Sequence, residues 1–214
     1  DRVQPRDLTI DRGEEALFDD PRFASADVAI EFTSPQAAYA NCLKTLERGL
    51  PLVSGSTGWS ERLPELKTLC EQEGKTFFWS SNFSIGVYLF RQLVAQASRL
   101  MKLAPDYQLS MSEMHHVHKL DAPSGTALRM GEVIADALGR DLKECAVYGR
   151  EGHTGERDPQ TIGFATVRGG DIVGDHTALF DAEGERVEIT HKASSRMTFA
   201  SGAVRAAVWA AGKA

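Results

Sequence analysis

The sequence predicts an α/β protein in two parts, a parallel-sheet half followed by an α+β half around a mixed or antiparallel sheet. Three observations predict it. Strand-length apolar runs alternate with helical spacings over the first third, a long amphipathic stretch ends that alternation after Asn82, and three extended runs split by turn residues follow between 161 and 193. With 214 residues, 42% of them hydrophobic, the chain can bury one large core or two small ones.

The elements follow in order. "DVAIEF" (27–32) is a strand, and residues 34–50 read as a helix with Ala38, Cys42 and Leu46 on one face and a stop at Gly49. A second strand lies in "LPLVSG", a helix near 60–73 and a third strand in "KTFFWSS". Short connections between them give a parallel sheet with right-handed crossovers, whose ligands sit beyond the carboxyl ends of the strands. "GSTG" (55–58) and "SSNF" (80–83) lie at that edge; each alone also reads as an ordinary turn. Residues 84–103 place Phe90, Leu93, Val94, Ala97 and Leu100 at helical spacing, for a long helix against a sheet. "DYQLSMSEM" is a strand, a helix opens near Ser124, "GREGHTGERDPQ" (149–160) is a polar loop, and 161–193 reads as an antiparallel meander turning at "RGGD" and "DAEGE".

Composition excludes several classes. A formal net charge of −6 argues against nucleic acid as the main partner. No run approaches a membrane span, and residues 1–20 are too charged for a signal peptide. Cys42, Cys70 and Cys145 are odd in number and far apart, which suggests neither a disulfide framework nor a structural zinc site; a reducing cytoplasm is expected.

The chemistry concentrates in "SEMHHVHKLDAPSGTAL" (112–128), where three of the six histidines stand beside a lysine. Histidine gives or takes a proton near neutrality, and lysine holds an anion or supplies a second proton. On an extended segment His115 and His116 point to opposite faces, so they need not share a role. Ser124, Gly125 and Thr126 then open a helix whose free N–H groups suit a carboxylate or phosphate, with no side chain at Gly125 to keep it away. Asp121 or Ser124 also reads as a plain helix cap. The rival is a zinc hydrolase that uses His115, His116 and His118 with Glu113; Lys119 weighs against it, since a cation beside a dication is unfavourable.

"EMHHVHKLDAPSGTA", with "GSTG", "SSNFSIGV" and the run from "IGFATVRGGDIVGDHT" to "SSRMTFASGAVRAAVW", resembles the 4-hydroxy-tetrahydrodipicolinate (dihydrodipicolinate) reductases of bacterial lysine biosynthesis. The resemblance implies reduction by NADH or NADPH of a small cyclic dicarboxylate on the diaminopimelate route, a cytoplasmic homotetramer, and no metal. His115 resembles the family's proton donor and Lys119 its partner; His116, Gly125, Thr126 and Arg196 resemble substrate contacts. Gly55, Ser56, Thr57, Ser80, Ser81, Asn82 and Phe83 resemble the loops that meet the cofactor. It further implies a truncated Rossmann-like nucleotide-binding half, residues 1–84 with 197–214, and a substrate and oligomerisation half, residues 85–196. Family members open on a strand, a glycine-rich turn and a helix; here the only comparable text is "LTIDRGEEAL", whose Gly13 alone does not make that turn. The expectation is a piece of a longer enzyme, with a non-catalytic remnant that keeps the dicarboxylate site as the alternative.

Overall fold

A computed structural model describes residues 18–213, which form two compact units: one runs up to Phe83 and resumes at Phe199, the other is Ser84–Thr198. "LTIDRGEEAL", Gly13 included, lies outside the described residues.

In the first unit β1 (Ala29–Glu31), β2 (Leu52–Ser54) and β3 (Phe77–Trp79) pair in that order, all parallel. The crossovers are α1 (Pro35–Glu47) and α2 (Leu63–Glu73). Ser34 starts α1 by accepting from the Ala37 N–H, with Pro35 in the first turn where its missing N–H costs nothing. Gly74, in the left-handed conformation at φ 66°, ends α2. Ala38, Cys42 and Leu46 of α1 are fully buried with Leu52, Trp59 and Leu66, as their spacing implied. The loops 55–58 and 80–83 leave the carboxyl ends of β2 and β3.

The second unit begins with α3 (Ile85–Leu100), capped by Ser84, and continues through β4 (Gln108–His115), α4 (Gly125–Leu138), β5 (Ala146–Tyr148), β6 (Ile162–Arg168), β7 (Gly174–Ala182) and β8 (Glu185–Ala193). Its sheet runs β5-β6-β4-β7-β8. This corrects the meander. Only β7 and β8 form a hairpin; β4 lies between β6 and β7, parallel to the first and antiparallel to the second. The reason is local. "RGGD" does not turn back on β6: Gly169 donates to the His115 carbonyl at 2.8 Å, and Val117 donates to the Gly170 carbonyl at 3.1 Å, so this loop extends the pairing with the chain that leaves β4.

Side chains alternate in β4 and β7, so Leu109 and Met111 of one and Ala178 and Phe180 of the other share a buried face. Phe90 and Val94 of α3 and Met130 and Ile134 of α4 close over it. Leu93 and Leu100 were expected in this stripe but lie on its rim, 59% and 54% exposed, while Ser98 completes the buried face. The final helix, α5 (Met197–Ala211), buries Gly202, Ala203, Ala207 and Ala210, and in the first unit these alanines pack with Val53 and Phe83. Gly202 crosses the chain so closely that a Cβ there would stand 1.8 Å from the Phe83 carbonyl oxygen.

Candidate active site

The buried face of the second sheet changes character along its strands. Two residues beyond Met111 it carries Glu113, then His115; opposite Glu113 in register stands His176 of β7. All three are buried. The Glu113 carboxylate takes the His115 Nδ1–H in a short hydrogen bond, and its other oxygen lies 2.8 Å from Nη2 of Arg168, at the end of β6. The same Arg168 nitrogen donates to the Asp121 carbonyl at 2.5 Å, tying the strand end to the loop before α4. Burial works against the Glu113 charge, but Arg168 and His115 outweigh it and hold this carboxyl below the ordinary range. Burial pushes the His115 imidazole below its ordinary value; Glu113 opposes that, while Lys119 and Arg168 add to it.

His176 packs edge-on against His115, ring centroids 5.0 Å apart, and its Nε2 lies 3.0 Å from Ser124 Oγ. That oxygen also accepts the Ala127 N–H at 3.1 Å, so Ser124 caps α4 and is joined to the histidine pair at once. Burial, with the nearby His115, lowers the His176 pKa to about 4, and its Nδ1 has no partner among the described residues. A Cβ at Gly174 would stand 2.9 Å from His115 Nε2, so a glycine is needed there to leave room for the ring.

Of the other predicted residues of this unit, His116 and Lys119 lie on the loop that follows β4, Gly125 and Thr126 open α4, and Arg196 lies between β8 and α5. His116 and Arg196 meet, Nη2 to Nε2 at 3.2 Å, with the His118 ring centroid 6.2 Å from that of His116. Lys119 donates to Asp121 at 2.7 Å; that bond, together with the Gly125 N–H, holds the Asp121 carboxyl below its ordinary value. A carboxylate thus already rests between the lysine and the amino end of α4. Gly125 is exposed, and a Cβ there would meet only open space, so no packing demand explains the glycine. Thr126 follows it in the first turn, half-buried.

The zinc rival fares differently. Among the described residues the group close enough to hold an ion is Glu113, His115 and His176, without His116 or His118, and the Arg168 guanidinium already neutralises the carboxylate. A cavity of about 860 Å³ lined by Ser110, Ser112, Tyr148, Arg150, Arg157 and Thr166 contains none of the predicted site residues.

In the first unit Glu31 organises the 55–58 loop. Its buried carboxylate accepts from Ser54 Oγ at 2.5 Å, Ser56 Oγ at 2.7 Å and the Thr33 N–H at 2.7 Å, and its carbonyl accepts the Gly55 N–H at 2.9 Å. The Ser56 hydroxyl is therefore turned inward, while Thr57 is exposed. Ser80 donates to the Asn82 carbonyl at 2.7 Å, Ser81 is exposed, and Phe83 is buried beneath α5.

The model of the family "Dihydrodipicolinate reductase, C-terminus" matches residues 86–214, and that of "Dihydrodipicolinate reductase, N-terminus" matches residues 6–83. The chain belongs to the dihydrodipicolinate reductase family. The 4-hydroxy-tetrahydrodipicolinate reductase of Chromobacterium violaceum is 60% identical over 189 residues, 88% of this chain and 69% of that protein. That of Neisseria meningitidis serogroup B is 57% identical over 195 residues, 91% of this chain and 71% of that protein. Among solved structures, a dipicolinate-bound dihydrodipicolinate reductase from Paenisporosarcina sp. TG-14 superposes with a TM-score of 0.67 at 26% identity, over 87% of this chain and 69% of that one.

Within this reductase fold the sequence reading missed Arg168 and His176 as neighbours of His115. His176 carried a signal: it alternates with Gly174, Ala178 and Phe180 on the inward side of a strand, where a histidine is costly unless used. Arg168 carried none, since its place beside β4 depends on the strand order.

Proposed function

We propose that this chain reduces 4-hydroxy-tetrahydrodipicolinate with NADH or NADPH on the route to diaminopimelate and lysine. The observation that carries the reading is the buried Glu113–His115 pair beside Lys119 and an amino end of α4 that already holds a carboxylate, that of Asp121. The reaction takes up a hydride and a proton and releases the hydroxyl as water. Bound nicotinamide supplies the hydride. His115 supplies the proton, with Lys119 as its partner. One substrate carboxylate displaces that of Asp121 from the amino end of α4 and rests against the N–H groups at Gly125 and Thr126; the other meets Arg196 and His116, where the forked guanidinium suits it. Because burial keeps His115 largely neutral, the two negative charges of the arriving substrate raise its proton affinity, so the donor is charged when it is needed.

The first unit takes the cofactor. Gly55, Ser56 and Thr57 with Ser80, Ser81, Asn82 and Phe83 form the loops at the carboxyl edge of its parallel sheet, where such sheets bind ligands. With Ser56 held by Glu31 and Phe83 buried, the backbone of these loops and the exposed Thr57 and Ser81 side chains are the parts offered. A non-catalytic remnant would leave the buried Glu113–His115 pair without a use.

No helix among the described residues is long and apolar enough to cross a membrane. We place the enzyme in the cytoplasm on the cysteine pattern, three unpaired thiols far apart in the sequence. We place the subunit contacts of a homotetramer on the second sheet, whose β8 edge and Val187 are exposed; light scattering that finds only monomer at micromolar concentration counts against this. Steady-state kinetics of the active enzyme test the site. His115→Gln lowers kcat more than it raises KM, whereas Arg196→Met raises KM sharply, since it removes a contact made in ground and transition state alike. Near-normal turnover of His115→Gln excludes the donor role.

A further inference from the structure

We infer that Glu113 is the positioning residue of the proton donor, fixing His115 so that Nε2 is the nitrogen that gives up the proton, with Arg168 locking the carboxylate in place. This rests on the reading of His115 as the donor. Three observations carry it. Glu113 and His115 are two apart on one strand, so they share a face and the carboxylate reaches Nδ1 without leaving the sheet. Glu113 is 1% exposed, and a carboxylate so buried persists only with partners; it has two, the imidazole and Arg168. Arg168 is fixed in turn by the Asp121 carbonyl and by its register opposite His115, so the assembly is braced from β6 and from the substrate loop.

The chemistry balances simply. The N–H bond at Nε2 breaks, its electron pair stays on the ring, and the proton adds to the substrate. The ring ends neutral with its remaining proton on Nδ1, still given to Glu113. No proton passes to the carboxylate, whose task is to hold one tautomer and to favour the charged ring. The groups that face this pair are Arg168 from β6, His176 from β7 with His191 of β8 opposite it, Lys119 and Asp121 from the loop after β4, and Ser124 at the start of α4. Among these nearest groups the carboxylate of Glu113 is the one that favours the imidazolium by direct contact.

The test is the pH profile of kcat in the active enzyme for Glu113→Gln, Glu113→Asp and His115→Gln. A general acid fails as pH rises through its pKa, so removing the Glu113 charge moves the alkaline limb down by about one unit. Glu113→Gln lowers kcat about 100-fold with KM changed less than about threefold. Glu113→Asp, which keeps the charge, restores the limb and part of the rate. Glu113→Gln with wild-type kcat and an unmoved limb, alongside an inactive His115→Gln, overturns the positioning role and leaves the donor intact. An active His115→Gln overturns the donor reading itself. Should Glu113→Gln fail to fold, nitrogen NMR of histidine-labelled wild-type protein decides: neutral His115 carries its proton on Nδ1, and a proton on Nε2 refutes the assignment.

Discussion

Ser124→Ala removes one oxygen that serves two partners. The first is the cap: Ser124 Oγ accepts the Ala127 N–H at 3.1 Å, and loss of such a cap costs about 1 kcal/mol. The second is His176, whose Nε2 lies 3.0 Å away and which is 4% exposed. Its Nδ1 already lacks a partner, so the substitution leaves both ring nitrogens unsatisfied in a buried site, at about 1–3 kcal/mol for the newly orphaned atom. The sum is about 2–4 kcal/mol, or a fall in Tm of roughly 4–16 °C for a chain of this size. Ser34→Ala is the internal control, because that serine caps α1 through the Ala37 N–H at 3.3 Å in an exposed setting, and it should cost about 1 kcal/mol. Both variants are compared with wild type by thermal and denaturant unfolding. A Ser124→Ala loss no larger than that of Ser34→Ala refutes the claim that the serine supports His176.

Acid should weaken the fold through the same ring. His176 titrates at about 4 in the folded protein against 6.5 unfolded, so its contribution is complete above pH 6.5 and is lost as pH falls toward 4. Fully developed, the loss amounts to about 3 kcal/mol, and denaturant midpoints for wild type and His176→Asn at pH 7 and 4.5 reveal most of it as a fall steeper in wild type than in the variant, which keeps the part due to His115 and His191. Gly202→Ala should cost about 3 kcal/mol or more, read by unfolding, because the new methyl group meets backbone at Phe83 rather than a side chain that can swing aside. Calorimetry should detect binding of a pyridine dicarboxylate, and Arg196→Met, which removes the guanidinium that meets His116, should weaken it about tenfold or more. Elemental analysis should find no stoichiometric zinc; one ion per chain would reassign Glu113, His115 and His176 as ligands.

What could be read from the sequence was what local rules govern. Ser124 stands where its oxygen caps a helix, and Ala38, Cys42 and Leu46 repeat at the interval that buries them. The crossover order of β1, β2 and β3 followed from short connections. The partners of β4 did not, because its pairing with Ile162–Arg168 and Gly174–Ala182 leaves no mark near residues 108–115. The site divides in the same way. His115, Lys119, Gly125 and Thr126 lie on one continuous stretch and were visible together, whereas Arg196 meets His116 across 80 residues of sequence. Glu113 was seen only as a possible ligand, since the guanidinium that neutralises it arrives from another strand.

The position of β4 also orders events in time. Each strand of the first sheet pairs with its sequence neighbour, so those contacts close over short loops. In the second sheet β4 cannot complete either edge until the chain beyond it has been made, because Leu109 waits for Ile162 on one side and for Phe180 on the other. During synthesis the histidine-bearing strand is therefore present but unpaired while α4 and β5 are added. That interval exposes Leu109, Met111 and two bare strand edges to neighbouring chains. Recovery after dilution from denaturant should accordingly fall with protein concentration, with the second unit as the step that fails.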